Sequence, residues 1–173
     1  MTKRSTFLAA ATLVPALALL AACGGGDRRH GHVAHDELDC MTRAMFFESH
    51  RSSRDGLIAV GSVVMNRVES SDFPNTVCGV VGQRNQFAPG VMTREMNSRA
   101  MPEVTEAAVA VLLGERHPRI QNAQFFHAAS YHANYNNIHY VLTAGGNAFY
   151  EKRRPEHVTR SRPLRAVEGL TGG

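Results

Sequence analysis

One acidic side chain stands out among the residues that could do chemistry in this sequence. Glu48 follows three apolar residues at helical spacing, namely Met41, Ala44 and Met45. A helix would place all four on one face, so Glu48 continues an apolar stripe. Burial disfavours the charged form of a carboxyl group and raises its pKa, which suits general acid catalysis on a glycosidic oxygen. A structural glutamate paired with a cation would show the same pattern.

Sequence signatures of other catalytic chemistries are absent. The chain has no Gly-x-Ser-x-Gly, Ser-x-x-Lys, His-Glu-x-x-His or Cys-x-x-Cys motif. Three histidines, His127, His132 and His139, fall within one stretch and could supply metal ligands, although histidines at the surface or in a core are more common. A further group of histidines between residues 30 and 35 has no partnering cysteine or carboxylate at a recognised spacing. We therefore expect neither a metal nor a cofactor.

The N-terminal segment indicates export. Lys3 and Arg4 precede the apolar run of residues 7–20, which is shorter than the roughly 20 residues of a membrane-spanning helix. The run ends in Leu-Ala-Ala-Cys, which resembles the lipobox of bacterial lipoproteins and implies lipidation of Cys23. Residues 1–22 are then a signal peptide, and residues 23–35 are a flexible tether on the periplasmic side of a bacterial membrane, with the outer membrane as one option. An ordinary secretory signal is the alternative.

Charge and cysteine content restrict the remaining chain. Removal of Lys3 and Arg4 lowers the net charge from +4 to +2, which gives little support for nucleic-acid binding. The 151 residues from 23 to 173 suffice for one hydrophobic core. With Cys23 assigned to lipid, Cys40 and Cys78 form an even pair in an oxidising compartment. This favours a disulfide between them over two buried thiols.

Periodicity predicts a helix-rich α+β domain over residues 36–152. We expect helices from about residue 36 through Glu48, from 55 to 69, and from Pro102 to just before Gly114. Residues 83–101 are irregular, and short β-like runs at 123–127 and 148–150 predict a small sheet. Residues 153–173 are basic and interrupted by proline, and we expect them to form a loose tail.

Several motifs within residues 38–151 resemble the SleB/CwlJ-type cell wall hydrolase family. The opening of the family is similar to Cys40 through Val68, which contains Met-Phe-Phe-Glu and Val-Met-Asn-Arg-Val. Its next motifs resemble the stretch Phe-Pro-Asn-Thr-Val-Cys at residues 73–78 and Gln-Phe at 86–87. Its closing motifs resemble Phe-Phe-His at 125–127 and Phe-Tyr at 149–150.

The resemblance implies a lysozyme-like fold and cleavage of peptidoglycan glycan strands by lytic transglycosylation, with Glu48 as the single catalytic acid. Such a mechanism needs no second carboxylate, whereas most glycosidases use a pair. The aromatic, amide and imidazole side chains that we expect to contact substrate are Gln86, Phe87, His127, Tyr131 and Tyr150.

The sequence departs from the family pattern at four points. Ser52 replaces a second glutamate, Ala88 replaces a serine, Asn147 replaces a histidine, and a tryptophan is missing. These differences concern substrate contacts and turnover more than fold. Two alternatives therefore stay open: an N-acetylmuramoyl-L-alanine amidase, and a catalytically weak lipoprotein that binds peptidoglycan.

Overall fold

The structure is a computed structural model that describes residues 34–49 and 52–172. The expected signal peptide and nearly all of the tether, including Cys23, lie outside the described residues. Within them, no helix is long and apolar enough to cross a membrane. The α-helices are α1 (His35–Ser49), α2 (Arg54–Val68), α3 (Val77–Val81) and α4 (Met101–Leu112), and the strands are β1 (Phe125–Ala128), β2 (Ile138–Ala144) and β3 (Asn147–Lys152). A short 3₁₀ helix, Pro155–His157, follows β3. This confirms the predicted α+β, helix-rich class.

Helices α1, α2 and α4 surround the main hydrophobic core. The Ser53 side chain caps α2 by accepting a hydrogen bond from the Gly56 N–H at 3.2 Å. Further along α2, a Cβ on Gly61 would overlap the Met45 side chain and lie 3.1 Å from Val111. The missing side chain at this position therefore lets α1 and α4 pack closely on α2, which fixes α1 and with it Glu48.

The short helix α3, which periodicity did not predict, is attached to α1. Thr76 caps it by accepting from the Gly79 N–H at 3.1 Å, and the Glu37 carboxylate accepts the Val77 N–H at 2.8 Å. A disulfide joins Cys40 to Cys78, with their Cα atoms 5.2 Å apart. The expected cysteine pairing is thus present, and it holds α3 against the outer side of α1.

The three strands form one antiparallel sheet in the order β1-β3-β2. Strand β2, which we did not predict, is buried along its whole length. The turn from β2 to β3 uses Gly145 and Gly146 with φ of +57° and +79°, a region that favours glycine. Phe126 pairs with Phe149 and belongs with the main core, whereas the alternate face of the sheet carries aromatic side chains away from it.

The prediction of a loose C-terminal tail is wrong. Strand β2 lies at the edge of the sheet, and the Tyr140 N–H donates to the carbonyl of Arg160 at 3.0 Å. The Val167 N–H likewise donates to the carbonyl of Thr143 at 2.9 Å. Residues 158–168 therefore cover an edge that would otherwise present unpaired main-chain groups. Main-chain hydrogen bonds leave no periodic pattern in the side chains, so this packing could not be predicted from side-chain periodicity.

Candidate active site

Glu48 lies in the last turn of α1 and is half-buried. Its carboxylate accepts a hydrogen bond from the Ala88 N–H at 2.7 Å. Burial raises the pKa of Glu48, while the Ala88 N–H and the charge of Arg67 act in the opposite direction. No cationic side chain of the described residues lies within 4 Å of this carboxylate. The geometry therefore resembles that of a proton-donating acid more than that of a glutamate in a structural ion pair.

Arg67 is a site residue that the sequence reasoning missed. It is buried in α2, and its Nε donates to the carbonyl of Gln124 at 2.7 Å. Its guanidinium lies 5.1 Å from the ring centre of Phe73, 5.4 Å from that of Phe87 and 5.7 Å from that of Phe125. One terminal nitrogen, Nη1, is buried without a hydrogen-bond partner among the described residues.

Arg67 interacts electrostatically with the candidate acid, Glu48. Burial lowers the pKa of Arg67 to about 10, and the neighbouring Tyr150 and Glu48 oppose that shift, so the group stays cationic at neutral pH. The sequence did contain a signal. Arg67 falls on the stripe of α2 that also holds Val60 and Val64. Arginine is almost never fully buried unless it is paired, so its place in a buried stripe indicates a specific role.

The loop that donates the Ala88 N–H forms the wall of a cleft. Residues 82–85 and 87–93 line a cavity of about 570 Å³, and both Phe87 and Ala88 face it. Phe87 is only 8% exposed, and its ring centre lies 6.5 Å from that of Phe126, so it packs against the core. Gln86 is exposed beside it. Because the Glu48 hydrogen bond comes from the main chain of Ala88, the lack of a serine hydroxyl there leaves this contact intact.

Three of the five expected substrate-contacting residues form a continuous aromatic row on the outer face of the sheet. Phe125 stacks on Tyr150 with ring centres 5.6 Å apart and planes at 21°. The His127 ring lies 5.6 Å from Tyr150 and 5.2 Å from Tyr131. His127 Nε2 also lies 2.7 Å from the Tyr140 hydroxyl, which fixes the plane of the imidazole. Tyr131, at the end of the row, is 54% exposed.

The three histidines considered as metal ligands have separate environments. His139 is buried, and its Nε2 lies 3.0 Å from the Arg160 guanidinium, whereas His127 contacts tyrosines. Across the described ranges, no three His, Cys, Asp or Glu side chains are grouped so that they could hold a metal ion.

Two departures from the family pattern have structural roles near Glu48. The Asn147 amide donates from Nδ2 to the Glu48 carbonyl at 3.2 Å and thereby joins the start of β3 to the end of α1. The Ser52 hydroxyl donates to the carbonyl of Ser49, the last residue of α1, at 2.7 Å. Both substitutions therefore help to hold the segment that carries the candidate acid.

These elements form a small α+β domain with Glu48 in the last turn of its first helix. The chain belongs to the Cell Wall Hydrolase family, whose model matches residues 51–150. Its fold is similar to the catalytic domain of the germination-specific lytic transglycosylase SleB from Bacillus anthracis, with a TM-score of 0.58 and 22% identity over 70% of this chain and 98% of that one. The catalytic domain of SleB from Bacillus cereus gives the same TM-score at 23% identity, covering 73% of this chain and all of that one.

Curated relatives are similar over a shorter stretch. The spore cortex-lytic enzyme of Bacillus cereus is 34% identical over 77 residues, which are 43% of this chain and 30% of that protein. The enzyme of the same name from Oceanobacillus iheyensis is 31% identical over 77 residues, 43% of this chain and 28% of its own length. The match thus spans less than a third of these relatives.

Proposed function

We propose that the chain is a peptidoglycan lytic transglycosylase in which Glu48 is the only acid–base group. Family membership and the likeness to a lytic transglycosylase domain support the class of reaction. The observation that carries the assignment to Glu48 is its environment: a half-buried carboxyl group with a raised pKa that holds one main-chain N–H and has no ion-pair partner within 4 Å among the described residues.

In the first step, protonated Glu48 donates its proton to the glycosidic oxygen as the bond between that oxygen and the anomeric carbon breaks. The proton leaves a carboxylate behind, and a buried carboxylate is costly unless hydrogen bonds or charges stabilise it. The Ala88 N–H and the charge of Arg67 supply this stabilisation. Both groups therefore favour proton transfer to the leaving group.

In the second step, the Glu48 carboxylate removes the proton of the muramyl 6-hydroxyl, whose oxygen forms a bond to the anomeric carbon. The product is an anhydro ring, Glu48 is protonated again, and no water is consumed. One carboxyl group thus acts as acid and then as base, in line with microscopic reversibility.

For substrate binding, we propose that the glycan strand lies along the cleft and the aromatic row. Tyr150, His127 and Tyr131 would contact sugar faces and hydroxyls, and the exposed Gln86 amide would bond sugar hydroxyl or N-acetyl groups. Phe87 would shape the wall, since it is nearly buried. Aromatic faces and single amides are typical of sites that combine apolar contact with a few orienting polar groups.

We also propose that the domain acts in the cell envelope, held to a membrane by lipid on Cys23 and by the tether of residues 23–35. Peptidoglycan is then within reach of an anchored domain. Two or more acyl chains make such an anchor stable. A Cys23→Ser variant should accumulate as an unprocessed precursor or a soluble form, and unchanged maturation and membrane fractionation would contradict the anchor.

Mass spectrometry of the products from purified sacculi tests the reaction. Anhydromuropeptides are the expected product of a lytic transglycosylase. Reducing muropeptides would instead indicate hydrolysis by water, and free stem peptides would indicate an amidase. Binding of sacculi without any product would indicate a glycan-binding lipoprotein.

A further inference from the structure

A second cavity, of about 410 Å³, lies at the end of the aromatic row opposite Tyr131. Its floor is aromatic, since Phe73 and Phe125 lie with ring centres 6.3 Å apart and both lie over the Arg67 guanidinium. Phe125 in turn stacks on Tyr150. The cavity is therefore continuous with the surface proposed to hold the glycan.

The walls of this cavity carry one free charge of each sign. The Asp72 carboxylate has no hydrogen bond or ion pair within the described part of the chain, and it is exposed. Lys152 places its ammonium 4.3 Å from the ring centre of Phe125 and has no carboxylate partner there either. The neighbouring Glu151 is different, because Arg153 binds it at 2.8 Å.

The amides at the rim extend this polar character. Asn122 and Gln124 both line the cavity, so hydrogen-bond donors and acceptors stand between the two charged groups. In glycan that carries its stems the sugars are uncharged, because the lactyl carboxyl of each muramic acid is bound in the amide link to the peptide, and a carboxylate together with an ammonium offers such sugars nothing beyond ordinary hydrogen bonds. A short peptide with both a free amine and a carboxylate matches an apolar floor flanked by opposite charges.

We propose that this cavity binds the peptide stem carried by the glycan strand, with Asp72 facing an amine of the stem and Lys152 facing a carboxylate. The proposal rests on the proposed function, since the stem reaches the cavity only if the strand follows the aromatic row. It makes the domain selective for glycan that bears peptides over glycan stripped of them.

Cleavage of matched polymers tests this selectivity. Soluble glycan strands with stems, and the same strands after amidase removal of the stems, are given to the wild type and to Asp72→Asn and Lys152→Gln. We expect the wild type to prefer the peptide-bearing strands, and each variant to lower kcat/KM on them by at most about fivefold, the upper end for exposed charge pairs. Stripped strands carry a lactyl carboxylate but no amine, so the wild type and Asp72→Asn should cut them at the same rate. Glu156→Gln and Arg154→Gln, at exposed positions outside the cavity, are matched controls and should leave the preference unchanged.

A binding measurement separates failure of this proposal from failure of the proposed function. Lys152 is the only lysine in the sequence besides Lys3, so its acylation by an amine reagent is read directly by peptide mapping. A disaccharide carrying a peptide stem should slow acylation of Lys152, and the same disaccharide with its lactyl carboxyl capped as a methyl amide should not. Asp72→Asn should weaken the protection even if no glycan bond is cut. Equal protection by both disaccharides, or no peptide preference in cleavage, would overturn the proposal.

Discussion

Replacing Glu48 by glutamine separates a catalytic acid from a structural one. The Glu48→Gln side chain keeps its size and an oxygen that can accept the Ala88 N–H, now 2.7 Å away. It cannot donate or accept a proton in the reaction. General acid–base groups typically contribute about 10²–10⁴-fold to rate, and one that serves both steps lies at the upper end. We expect activity to fall at least about 100-fold.

The same variant should be slightly more stable than the wild type at neutral pH. Burial raises the pKa of Glu48 in the folded state, so the folded protein resists its ionisation. As pH rises from the unfolded-state value through the raised folded-state value, the wild type loses stability and the variant does not. Glu48→Gln has no ionisable group at this position, so its Tm at neutral pH should lie slightly above that of the wild type.

Thermal unfolding at several pH values and product formation should be measured on one preparation. The Tm difference between variant and wild type should be present at pH 7 and vanish below about pH 4, where the carboxyl is neutral in both states. Glu156→Gln, the same change at an exposed position, should alter neither quantity. A Glu48→Gln protein that is destabilised yet still active would refute the catalytic role.

Four further changes have defined outcomes. Arg67→Met removes the cation near Glu48, so the pKa of Glu48 should rise further. The alkaline limb of the pH profile of kcat/KM should then move to higher pH, whereas Arg67→Lys should retain part of the wild-type profile. Cys40→Ala removes the disulfide between two residues that are 38 positions apart. Such a disulfide stabilises the fold by about 3–4 kcal/mol, so Tm should fall by several degrees. Ready thiol labelling of the native wild-type protein would contradict the disulfide. Gln86→Ala should reduce activity with little change in Tm, because Gln86 is exposed, and a parallel loss of both would argue against a binding role. Burial opposes ionisation of Asp55, yet hydrogen bonds from Leu170 and Thr171 hold its pKa below the usual value. The contribution of ionised Asp55 to stability is therefore present at neutral pH and is lost as pH falls through that lowered value. Asp55→Asn should lower Tm at pH 7 but not in acid, and it should free the C-terminal segment for proteolysis.

Apolar periodicity together with start and stop signals predicted the long helices well, although α2 is buried on all sides from Asp55 to Val64. Glu48 on the apolar stripe of α1, and the caps and breaks around α2 and α4, are local features that the sequence shows directly. Strand β2 was missed although the run Ile-His-Tyr-Val-Leu-Thr-Ala is bounded by Asn136-Asn137 and by two glycines, which is a usable strand signal. Helix α3 has five residues, too few for a helical period to be visible.

The composition of the site was harder to predict than the fold, because its parts come from distant positions. Ala88 acts through its main-chain N–H, so no side-chain pattern could reveal it. The position of Arg67 in a buried stripe was visible in the sequence, but its contacts with the rings of Phe73 and Phe125 were not. Such contacts join residues far apart in sequence, and a periodicity argument covers only neighbours within one element.

The C-terminal segment belongs to the same structural unit as the candidate acid. Asn147 holds the end of α1 through the Glu48 carbonyl, and it follows directly on the turn at Gly145 and Gly146. That turn is held in its place by Glu168, whose carboxylate accepts the Gly145 N–H at 2.8 Å and also bonds the Ser53 hydroxyl at the start of α2. Loosening residues 153–172 therefore frees the turn, then Asn147, then the helix end that carries Glu48. The basic segment that we expected to be a loose tail thus supports the position of the candidate acid.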